Sequence, residues 1–409
     1  MISFDEALSL VKSHLSPLPA REVSLLEATG AFLAEDTVAL IDVPGAHVSL
    51  KDGYAVRSED VVRAGPTAPV PLRVLGEVLA GEEKALSVRP GACVRVTAGA
   101  VIPEGADAVL AEEFTRREGE MILALADAPP EKNILKKGAD IRAGETLLRR
   151  GSRLFPPEVG LLAAGGLSRV KVHARPRVFL LATGDEVVAP GAELGPGQIF
   201  ASNLVTLASW CRHFGLETES RVVKDEASLL ENEVRAFLEG PFEVLITSGG
   251  AWKGPKDLIV KVLQGLGWEK VFHRVRMGPG KAVGFGLLRE KVVFCLPGGP
   301  PSNQMAFLNL ALPGLFILAG GPPNPFAEVR ARLSKEVSGE RDWTQFFLGV
   351  LKNEENGLFF EPLTPKSRLS YLAAGDALLR LPEGEERIPA GEEVCVKVLK
   401  GGPSCGPSP

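Results

Sequence analysis

The stretch "FEVLITSGGAWKGPKDLIVKVLQGLG" (Phe242–Gly267) decides the fold. An apolar run of strand length stops at a Ser-Gly-Gly turn, and the second half of the stretch has the spacing of a helix. A strand that opens through a glycine turn into a helix is the repeating unit of an α/β sheet. Glycine lets backbone N–H groups approach a ligand, and lysines and an aspartate follow the turn. The stretch therefore predicts an anion held at the end of the strand, beside a carboxylate that acts on a metal or an oxoanion.

The same alternation extends over residues 173–320. The predicted strands have the sequences "RVFLLAT", "ESRVVKD", "FEVLITSGG" and "KVVFCLPGG". The predicted helices have the sequences "NLVTLASWCRHFG", "ASLLENEVRAFLEG", "PKDLIVKVLQGLG" and "SNQMAFLNLAL". Strands that are apolar throughout are buried on both faces, so the pattern predicts a parallel, doubly wound sheet with helices on each side.

The regions around this α/β domain have other patterns. Residues 1–35 are predicted to be helical, and Ser3 followed by Glu6 forms a capping-box pattern. Short strand-like runs between glycines and prolines indicate a β-rich insertion. Beyond the α/β domain, short alternating runs predict a small β-barrel or sandwich. We predict a discontinuous N-terminal domain and three further domains, with the bounds 1–45 and 146–172 (N-terminal), 46–145 (β-rich insertion), 173–322 (α/β) and 323–409 (C-terminal β-barrel).

Composition excludes several classes of function. The chain of 409 residues is 45% hydrophobic and 24% charged, as ordinary globular proteins are. Its net charge of −5 provides no basic field for nucleic acid, and no apolar run approaches the ~20 residues of a membrane span. The five cysteines are scattered without CxxC spacing, which favours a reducing cytoplasm over a disulfide framework or a zinc site.

Candidate site residues cluster where the predicted strands end, because ligands of open α/β sheets bind outside the carboxyl ends of the strands. The loops there combine glycines or a hydroxyl residue with an acid, and the last loop is a stiff proline-glycine turn. Lysine adds a point charge for phosphate. The candidates are Thr183, Gly184, Asp185, Glu186, Asp225, Ser248, Gly249, Gly250, Asp257, Lys281, Pro297, Gly298, Pro300 and Ser302.

Each of these residues also has a purely structural interpretation. Asp225 and Ser302 have the residue types that cap helices, and Asp185 and Glu186 could cap their own turn. Asp257 enters a predicted helix, where a carboxylate favours the helix dipole.

Three further polar residues stand out before the α/β domain. Asp52 lies in a Lys-Asp-Gly-Tyr turn, which could equally be the corner of a hairpin. Thr97 precedes a glycine, and Asp140 lies between basic residues. Locally none of the three predicts a function.

As a set, these motifs resemble one family, that of MoeA and the gephyrin E domain, the molybdopterin molybdenumtransferases. The matching motifs, in the family's order over roughly the whole chain, are "DGYAV", "RVTAGAVIPEGADAV", "NILKKGADIRAGETLL", "PRVFLLATGDEVVAPG", "GQIFASN", "ITSGG" followed by "KD", "PGKAVGFG" and "LPGGPPS".

The resemblance implies a homodimer that inserts molybdate into adenylylated molybdopterin with Mg²⁺ and releases AMP, and it leaves open a molybdopterin adenylyltransferase as a partner. It implies that Asp52, Thr97 and Asp140 point into the substrate pocket from the β-rich insertion of the partner subunit. Glu186, Asp225 and Asp257 would be the acidic, metal-binding residues, and Ser248, Gly249, Gly250 and Lys281 would hold phosphate. Arg341 and Ser367 fall near positions linked to molybdate.

The chain departs from the family inside several motifs. The departures are Lys51 for methionine, residues 251–254 with Trp252 for Val-Ser-Val-Gly, Ala282 for proline, Gly299 for asparagine and Pro301 for valine. All the implied acidic residues are nevertheless present, so we predict a Mg-dependent transferase that uses molybdate or tungstate. The alternative is a divergent, non-catalytic paralogue that binds a molybdopterin-like ligand or a protein.

Overall fold

The computed structural model describes residues 1–82, 84–250, 258–364 and 367–400. The chain divides into two compact units. The first comprises Met1–Arg21, Gly30–Ala34 and Val172–Pro409, and the second comprises Glu22–Thr29 and Glu35–Lys171. The four-domain bounds predicted from the sequence remain a prediction.

The described residues form nine α-helices, one short 3₁₀-helix and one π-helical segment. The α-helices are α1 Phe4–His14, α2 Ser58–Val61, α3 Pro156–Ala164, α4 Ser202–His213, α5 Ala227–Glu239, α6 Leu258–Gly265, α7 Pro300–Ala306, α8 Leu312–Leu318 and α9 Arg368–Ala374. The 3₁₀-helix is Glu112–Phe114, and the π-helical segment, Phe307–Ala311, joins α7 to α8.

The strands are β1 Ile2–Ser3, β2 Ala20–Ser24, β3 Thr37–Val38, β4 Val48–Ser49, β5 Gly53–Val56, β6 Val70–Val78, β7 Ala92–Val96, β8 Ala108–Ala111, β9 Thr115–Glu118, β10 Met121–Ala124, β11 Ile134–Leu135, β12 Thr146–Leu148, β13 Arg169–His173, β14 Val178–Thr183, β15 Val187–Val188, β16 Ile199–Phe200, β17 Thr218–Val223, β18 Val244–Ser248, β19 Trp268–His273, β20 Val275–Gly278, β21 Gly284–Leu288, β22 Lys291–Leu296, β23 Glu328–Leu333, β24 Val337–Ser338, β25 Thr344–Glu354, β26 Gly357–Pro362, β27 Ala377–Leu381, β28 Arg387–Ile388 and β29 Glu393–Val398.

The central sheet of the first unit has six strands in the order β17-β14-β18-β22-β21-β19. The first four are parallel, and their register aligns Ala182 with Ser248 and Ser248 with Leu296. The carboxyl ends of β14, β18 and β22 therefore meet at one edge. The predicted doubly wound fold is confirmed, because separate apolar cores cover the two faces of this sheet.

The two faces are covered by different helices. Alternate residues of β14 divide between the cores, with Leu180 on one face and Leu181 on the other. The first core includes α4, α7 and the π-helical segment, whereas the second includes α5 and α6. Both cores are almost fully excluded from water, so the sheet is a rigid platform for the loops at its edge.

The sheet also has an antiparallel edge, which the pattern of apolar strands does not predict. β21 pairs antiparallel with β22, and β19 pairs antiparallel with β21. The backbone of β21 approaches the ring of Trp268 so closely that a Cβ at Gly286 would lie 2.5 Å from the indole Nε1. Only glycine allows this approach, and the contact is between residues distant in sequence.

The C-terminal strands of the first unit form a closed barrel. Strands β25, β26, β23, β29 and β27 follow one another, and β25 also pairs with β27. Of the two shapes predicted from the sequence, barrel or sandwich, the barrel is correct. β20 pairs parallel with β25, and β1 pairs with β20. The loop that follows β20 is thereby fixed beside the start of β25.

The second unit is built on a six-stranded sheet in the order β8-β5-β7-β6-β10-β9. Its two apolar cores include Tyr54 and Cys93 on one side and Val94 and Val96 on the other. Helix α3 begins with the proline pair Pro156 and Pro157, whose fixed φ suits the first turn of a helix. The β-rich character predicted for this part of the chain is confirmed.

The prediction of helices throughout residues 1–35 was wrong beyond the first helix. α1 has the predicted cap, with the Ser3 hydroxyl accepting from the Glu6 N–H at 3.1 Å. After α1 the chain forms β2 and turns. Pro17 and Pro19 follow α1, and proline removes the N–H that a helix interior needs. Among the described residues, no helix has both the length and the apolar composition for crossing a lipid bilayer.

Candidate active site

A threonine and two aspartates meet where β14 and β17 end. The Thr183 hydroxyl donates to Asp225 Oδ1, and the Asp225 backbone N–H donates to Asp185 Oδ1 at 3.3 Å. Thr183 is buried, Asp225 is half-buried, and Asp185 and Glu186 are exposed. The structure therefore brings together the acids of two loops that are 40 residues apart in the sequence.

This geometry decides between two interpretations of Asp225. The N-cap of α5 is Glu226, which makes no side-chain cap hydrogen bond, and the carboxylate of Asp225 bonds to Thr183 instead. The interpretation of Asp225 as the capping residue is wrong. Ser302 is likewise no cap, because the N-cap of α7 is Gly299.

The turn after β18 has a backbone that only glycine adopts without strain. Gly249 has φ +101°, and a Cβ there would lie 2.6 Å from the carbonyl oxygen of Thr183. Its N–H donates to the carbonyl of Leu296 at 3.1 Å. The Gly249 N–H is therefore engaged within the protein, and close packing of two loops explains this glycine.

Two asparagines tie the end of β18 to the proline-glycine loop after β22. Asn203 Nδ2 lies 2.7 Å from the Gly298 carbonyl oxygen and 3.4 Å from Ser248 Oγ. Asn303 Nδ2 lies 2.9 Å from the Pro297 carbonyl oxygen and 3.0 Å from Ser248 Oγ. The predicted binding residues Ser248, Pro297 and Gly298 thus form one bonded cluster, and Pro300 begins the helix that carries Asn303.

Lys281 lines a separate cavity of about 520 Å³ near this loop. Its ammonium lies 5.0 Å from the centre of the Trp343 ring, within the range of a cation–π interaction. Pro297 and Ser302 line the same cavity, and Glu340 and Gln345 contribute further polar groups. The loop after β20 and the start of β25 therefore meet at a cavity that opens beside the predicted site.

Ser367 lines a neighbouring cavity of about 810 Å³, together with Lys335, Arg368 and Tyr371. The Ser367 hydroxyl accepts from the Ser370 N–H at 3.4 Å and caps α9. Arg341 is exposed, and its carbonyl oxygen accepts from the Gly384 N–H at 2.7 Å. Neither contact tests the molybdate role that the resemblance implies for these two residues.

Two of the three candidates of the second unit lie on neighbouring segments. Asp52 Oδ1 accepts from the Ala98 N–H at 2.8 Å, and Thr97 Oγ1 accepts from the Ala80 N–H at 3.0 Å. Asp140 is exposed, and its backbone N–H donates to the Val43 carbonyl.

The hairpin interpretation of Asp52 is wrong. β4 pairs with β11, whereas β5 pairs with β7 and β8, so the strands on either side of Asp52 do not pair with each other. Asp52 instead connects two different sheets of the second unit.

Several predicted residues lie outside the part of the chain that the structure describes. These are Asp257, with Trp252 and the rest of residues 251–257. Within the described ranges, no three His, Cys, Asp or Glu side chains are grouped to hold a metal ion. The predicted metal set of Glu186, Asp225 and Asp257 therefore remains a prediction.

The donors that are described nevertheless suit Mg²⁺. Asp185 and Asp225 supply hard carboxylate oxygens at one edge of the sheet. Mg²⁺ usually binds one or two protein carboxylates and completes its shell with water and substrate phosphate. A site of this kind needs no larger cluster of protein ligands.

Sequence reasoning missed Asn203, Asn303 and Trp343. Asn303 is only 1% exposed, and its amide contacts are with residues that do not adjoin it in the sequence. The motif "GQIFASN" contains Asn203 and was the one available signal.

Comparison with known proteins covers nearly the whole chain. The models of the MoeA N-terminal region (domain I and II), the probable molybdopterin binding domain and the MoeA C-terminal region (domain IV) match residues 2–166, 179–316 and 330–399. Molybdopterin molybdenumtransferase 2 of Mycobacterium tuberculosis is 31% identical over 380 residues, which is 91% of this chain and 94% of that protein. Molybdopterin molybdenumtransferase of Nostoc is 32% identical over 389 residues, or 92% and 88% of the two chains.

Solved structures agree with the sequence relatives. The molybdopterin biosynthesis MoeA protein of Pyrococcus horikosii is 33% identical, with a TM-score of 0.83 over 98% of this chain and 100% of that one. Family models that follow one another along the chain, and relatives matched over most of their length, show that this chain belongs to the MoeA family of molybdenum cofactor biosynthesis proteins.

Proposed function

We propose that this protein is a molybdopterin molybdenumtransferase, which inserts molybdate into adenylylated molybdopterin and releases AMP. The observation that carries the proposal is the cluster of Thr183, Asp185 and Asp225 at the carboxyl ends of adjacent strands, beside the Ser248–Gly250 turn. Relatives matched over most of their length bear this enzyme name.

The site chemistry suits a substrate that carries a pyrophosphate. Lys281 supplies positive charge in a cavity beside the loop that holds Pro297 and Ser302. Glu186, Asp225 and Asp257 would hold Mg²⁺, which supplies Lewis-acid polarisation of phosphoryl oxygens when bound. The protein residues orient the substrate and offset its charge, so no covalent enzyme intermediate is required.

A second copy of the chain would complete the site. In the family, three residues of the β-rich insertion lie in the substrate pocket of the partner subunit. The resemblance places Asp52, Thr97 and Asp140 at these positions. Asp52 and Thr97 are held by backbone hydrogen bonds on adjoining segments, which supports a common role. We propose a homodimer in which these residues face the substrate bound by the other subunit.

The thiols and the substrate support a cytoplasmic setting. Cys93, Cys211, Cys295 and Cys395 are free thiols, which fits the reducing cytoplasm. The substrate must be adenylylated before it arrives, so a molybdopterin adenylyltransferase would supply it. Molybdate and tungstate have the same shape and charge, and both are candidates for the metal oxoanion.

The test is AMP release by purified protein from adenylylated molybdopterin with Mg²⁺ and molybdate. Asp225→Asn should lower turnover about 100-fold, because it removes a charge beside the phosphoryl groups. Glu290→Gln is the matched control, since Glu290 is exposed and precedes β22 at the opposite edge of the sheet. We expect it to leave turnover unchanged.

Two outcomes would contradict the proposal in different ways. Tight substrate binding by the unaltered protein without AMP release would favour the non-catalytic paralogue. Full turnover by Asp225→Asn would show that the cluster at the strand ends is not the reaction site. Far-UV circular dichroism and thermal unfolding of each variant would show that the fold is retained.

A further inference from the structure

Ser248 Oγ is the meeting point of two asparagine side chains from different helices. Asn203 of α4 and Asn303 of α7 each place Nδ2 within hydrogen-bond distance of this oxygen, at 3.4 and 3.0 Å. Asn303 is 1% exposed and Ser248 is 5% exposed, so their contact is shielded from water, whereas Asn203 is half-buried. Buried polar contacts of this kind are costly to break.

The direction of both hydrogen bonds is fixed by the neighbouring backbone. Asn203 Nδ2 also lies 2.7 Å from the Gly298 carbonyl oxygen, and Asn303 Nδ2 lies 2.9 Å from the Pro297 carbonyl oxygen. A carbonyl oxygen can only accept, so the NH₂ group of each amide, and not its oxygen, must face this loop. Each NH₂ group has two hydrogens, one for the carbonyl and one for Ser248.

Ser248 Oγ is therefore an acceptor in both contacts. A hydroxyl oxygen has two lone pairs and one hydrogen. The two amides take the lone pairs, so the hydroxyl hydrogen must point elsewhere. Within residues 1–82, 84–250, 258–364 and 367–400, the structure shows no further hydrogen bond of this hydroxyl.

Two backbone N–H groups of this turn and of the neighbouring loop after β14 are not free to bind a ligand. The Gly249 N–H donates to the Leu296 carbonyl at 3.1 Å, and the Gly184 N–H donates to the Val223 carbonyl at 3.3 Å. Both are already engaged, although glycine turns at strand ends often use such groups for anions. Among the described groups of this turn, the Ser248 hydroxyl is a donor that remains for a substrate oxygen.

We propose that Asn203 and Asn303 are positioning residues that orient the Ser248 hydroxyl as a hydrogen-bond donor to an oxygen of the substrate. This inference rests on the proposed function, in which that oxygen belongs to a phosphate of adenylylated molybdopterin. Because both lone pairs of Ser248 are occupied, the hydroxyl selects an acceptor and disfavours a ligand that presents a donor at this point.

One departure from the family pattern lies in the same loop. Gly299 stands where the family usually has an asparagine, and Gly299 is the N-cap of α7. Asn303 follows four residues later, one helical turn along, and its amide reaches back to Pro297 in the same loop.

The test measures the dissociation constant of adenylylated molybdopterin without molybdate. Ser248→Ala should weaken binding about tenfold, as expected for loss of a hydrogen bond to a charged oxygen. Asn303→Leu removes the orienting amide at similar size and should weaken binding about threefold or more while Ser248 is present. In the Ser248→Ala background, Asn303→Leu should change binding less than about twofold, because the group that it orients is gone.

Asn309→Leu is the matched control. Asn309 is also 1% exposed, it lies in the π-helical segment after α7, and its Nδ2 donates to the Met305 carbonyl at 3.0 Å. We expect this change to lower the thermal midpoint as Asn303→Leu does, but to leave substrate affinity within about twofold. Equal loss of affinity in the two asparagine variants, or an equal effect of Asn303→Leu in both Ser248 backgrounds, would overturn the inference.

Failure of the proposed function would have a different signature. If the unaltered protein did not bind adenylylated molybdopterin, the proposed function and the phosphate assignment would both be wrong. If it bound and Ser248→Ala bound equally well, only the inference would be wrong. Neutron diffraction from deuterated crystals gives a direct answer, because a Ser248 deuteron directed at either asparagine would contradict the orientation.

Discussion

At the scale of single residues, position 249 requires glycine both for its backbone conformation and for the close packing around it. Its φ of +101° lies in the left-handed region, and the Thr183 carbonyl occupies the place where a side chain would begin. An alanine would be strained by the backbone and would also push apart the ends of β14 and β18. The site depends on these two ends staying together.

Gly249→Ala should therefore lower the free energy of unfolding by about 2 kcal/mol or more and impair substrate binding. Gly265→Ala is the control, because Gly265 ends α6 with open space around it. That change should be neutral or stabilise by up to about 1 kcal/mol. Urea unfolding measures both, and a Gly249→Ala protein as stable as the unaltered one would show that the turn relaxes freely.

Residue types alone identified several residues that the structure brings together at the candidate site. Thr183, Asp225 and Ser248 were identified because they follow apolar strands, and their grouping follows from the parallel register. Asn203 and Asn303 could not be assigned in this way, because their roles depend on how two helices approach one loop. Helical asparagines have no local pattern that distinguishes an orienting amide from an exposed one.

At the scale of elements, the apolar runs predicted β14, β17, β18 and β22 but not the antiparallel edge. Parallel strands buried on both faces have an unmistakable composition. In β19 only Trp268 and Phe272 are buried, and β21 has glycine at two of its five positions, so neither has that signal. Their pairing depends on the fit of Trp268 over Gly286, which is a contact between distant segments.

The barrel contains a strand pair whose stability should depend on pH. Two lysines form ion pairs with the carboxylate of Glu361 and hold its pKa below the usual value. Lys352 has the larger effect and Lys335 the smaller one. The folded state then binds the proton more weakly than the unfolded chain. The stabilisation is fully present above the unfolded pKa of about 4.5 and is lost as the pH falls through the lower, folded pKa.

Glu361→Gln should lower the midpoint of urea unfolding at pH 7, and the difference should disappear as the pH falls below 4.5. The effect should be small because both lysines are exposed. Glu355→Gln, in the turn between β25 and β26, is the control and should not change the pH profile. A difference that persists unchanged in acid would exclude the ion pair as its cause.

At the scale of the whole molecule, the reactivity of the buried cysteines can measure the unfolding of the separate apolar cores. Burial raises the pKa of Cys93, Cys211 and Cys295 to about 12 in each case. Cys93 belongs to a core of the second unit, and Cys211 and Cys295 lie on opposite faces of the central sheet. Only the thiolate reacts quickly, so these thiols should be inert in the folded protein.

Ellman's reagent at pH 8 should leave these three cysteines unmodified until the protein unfolds. In a Cys405→Ser background, Cys395 should react first because it is exposed. Along a urea gradient, Cys211 and Cys295 should lose protection at one midpoint, since Cys295 is in β22 of the central sheet and Cys211 is on α4, which packs on that sheet. Mass spectrometry would measure the modification of each cysteine. Separate midpoints for Cys211 and Cys295 would show that the two faces of the sheet unfold independently.

The organisation of the whole chain was largely predictable because each region has its own periodicity. The α/β repeat, the β-rich insertion and the terminal barrel differ in strand length and glycine content. What was not predictable is that β1 and β20 extend the barrel sheet. Strands of two and four residues are too short to show a pattern, and β1 pairs with a strand more than 250 residues away in the sequence.

The π-helical segment Phe307–Ala311 has a consequence for comparing this chain with its relatives. Such a turn accommodates one more residue than the regular helix on either side of it. A relative that has a continuous α-helix here would require a one-residue gap in the alignment. If that gap were placed on the wrong side of the turn, Asn309 would be aligned with the neighbouring residue of the relative. Adjacent residues differ by about 100° around a helix, so its amide would be compared with a side chain on another face.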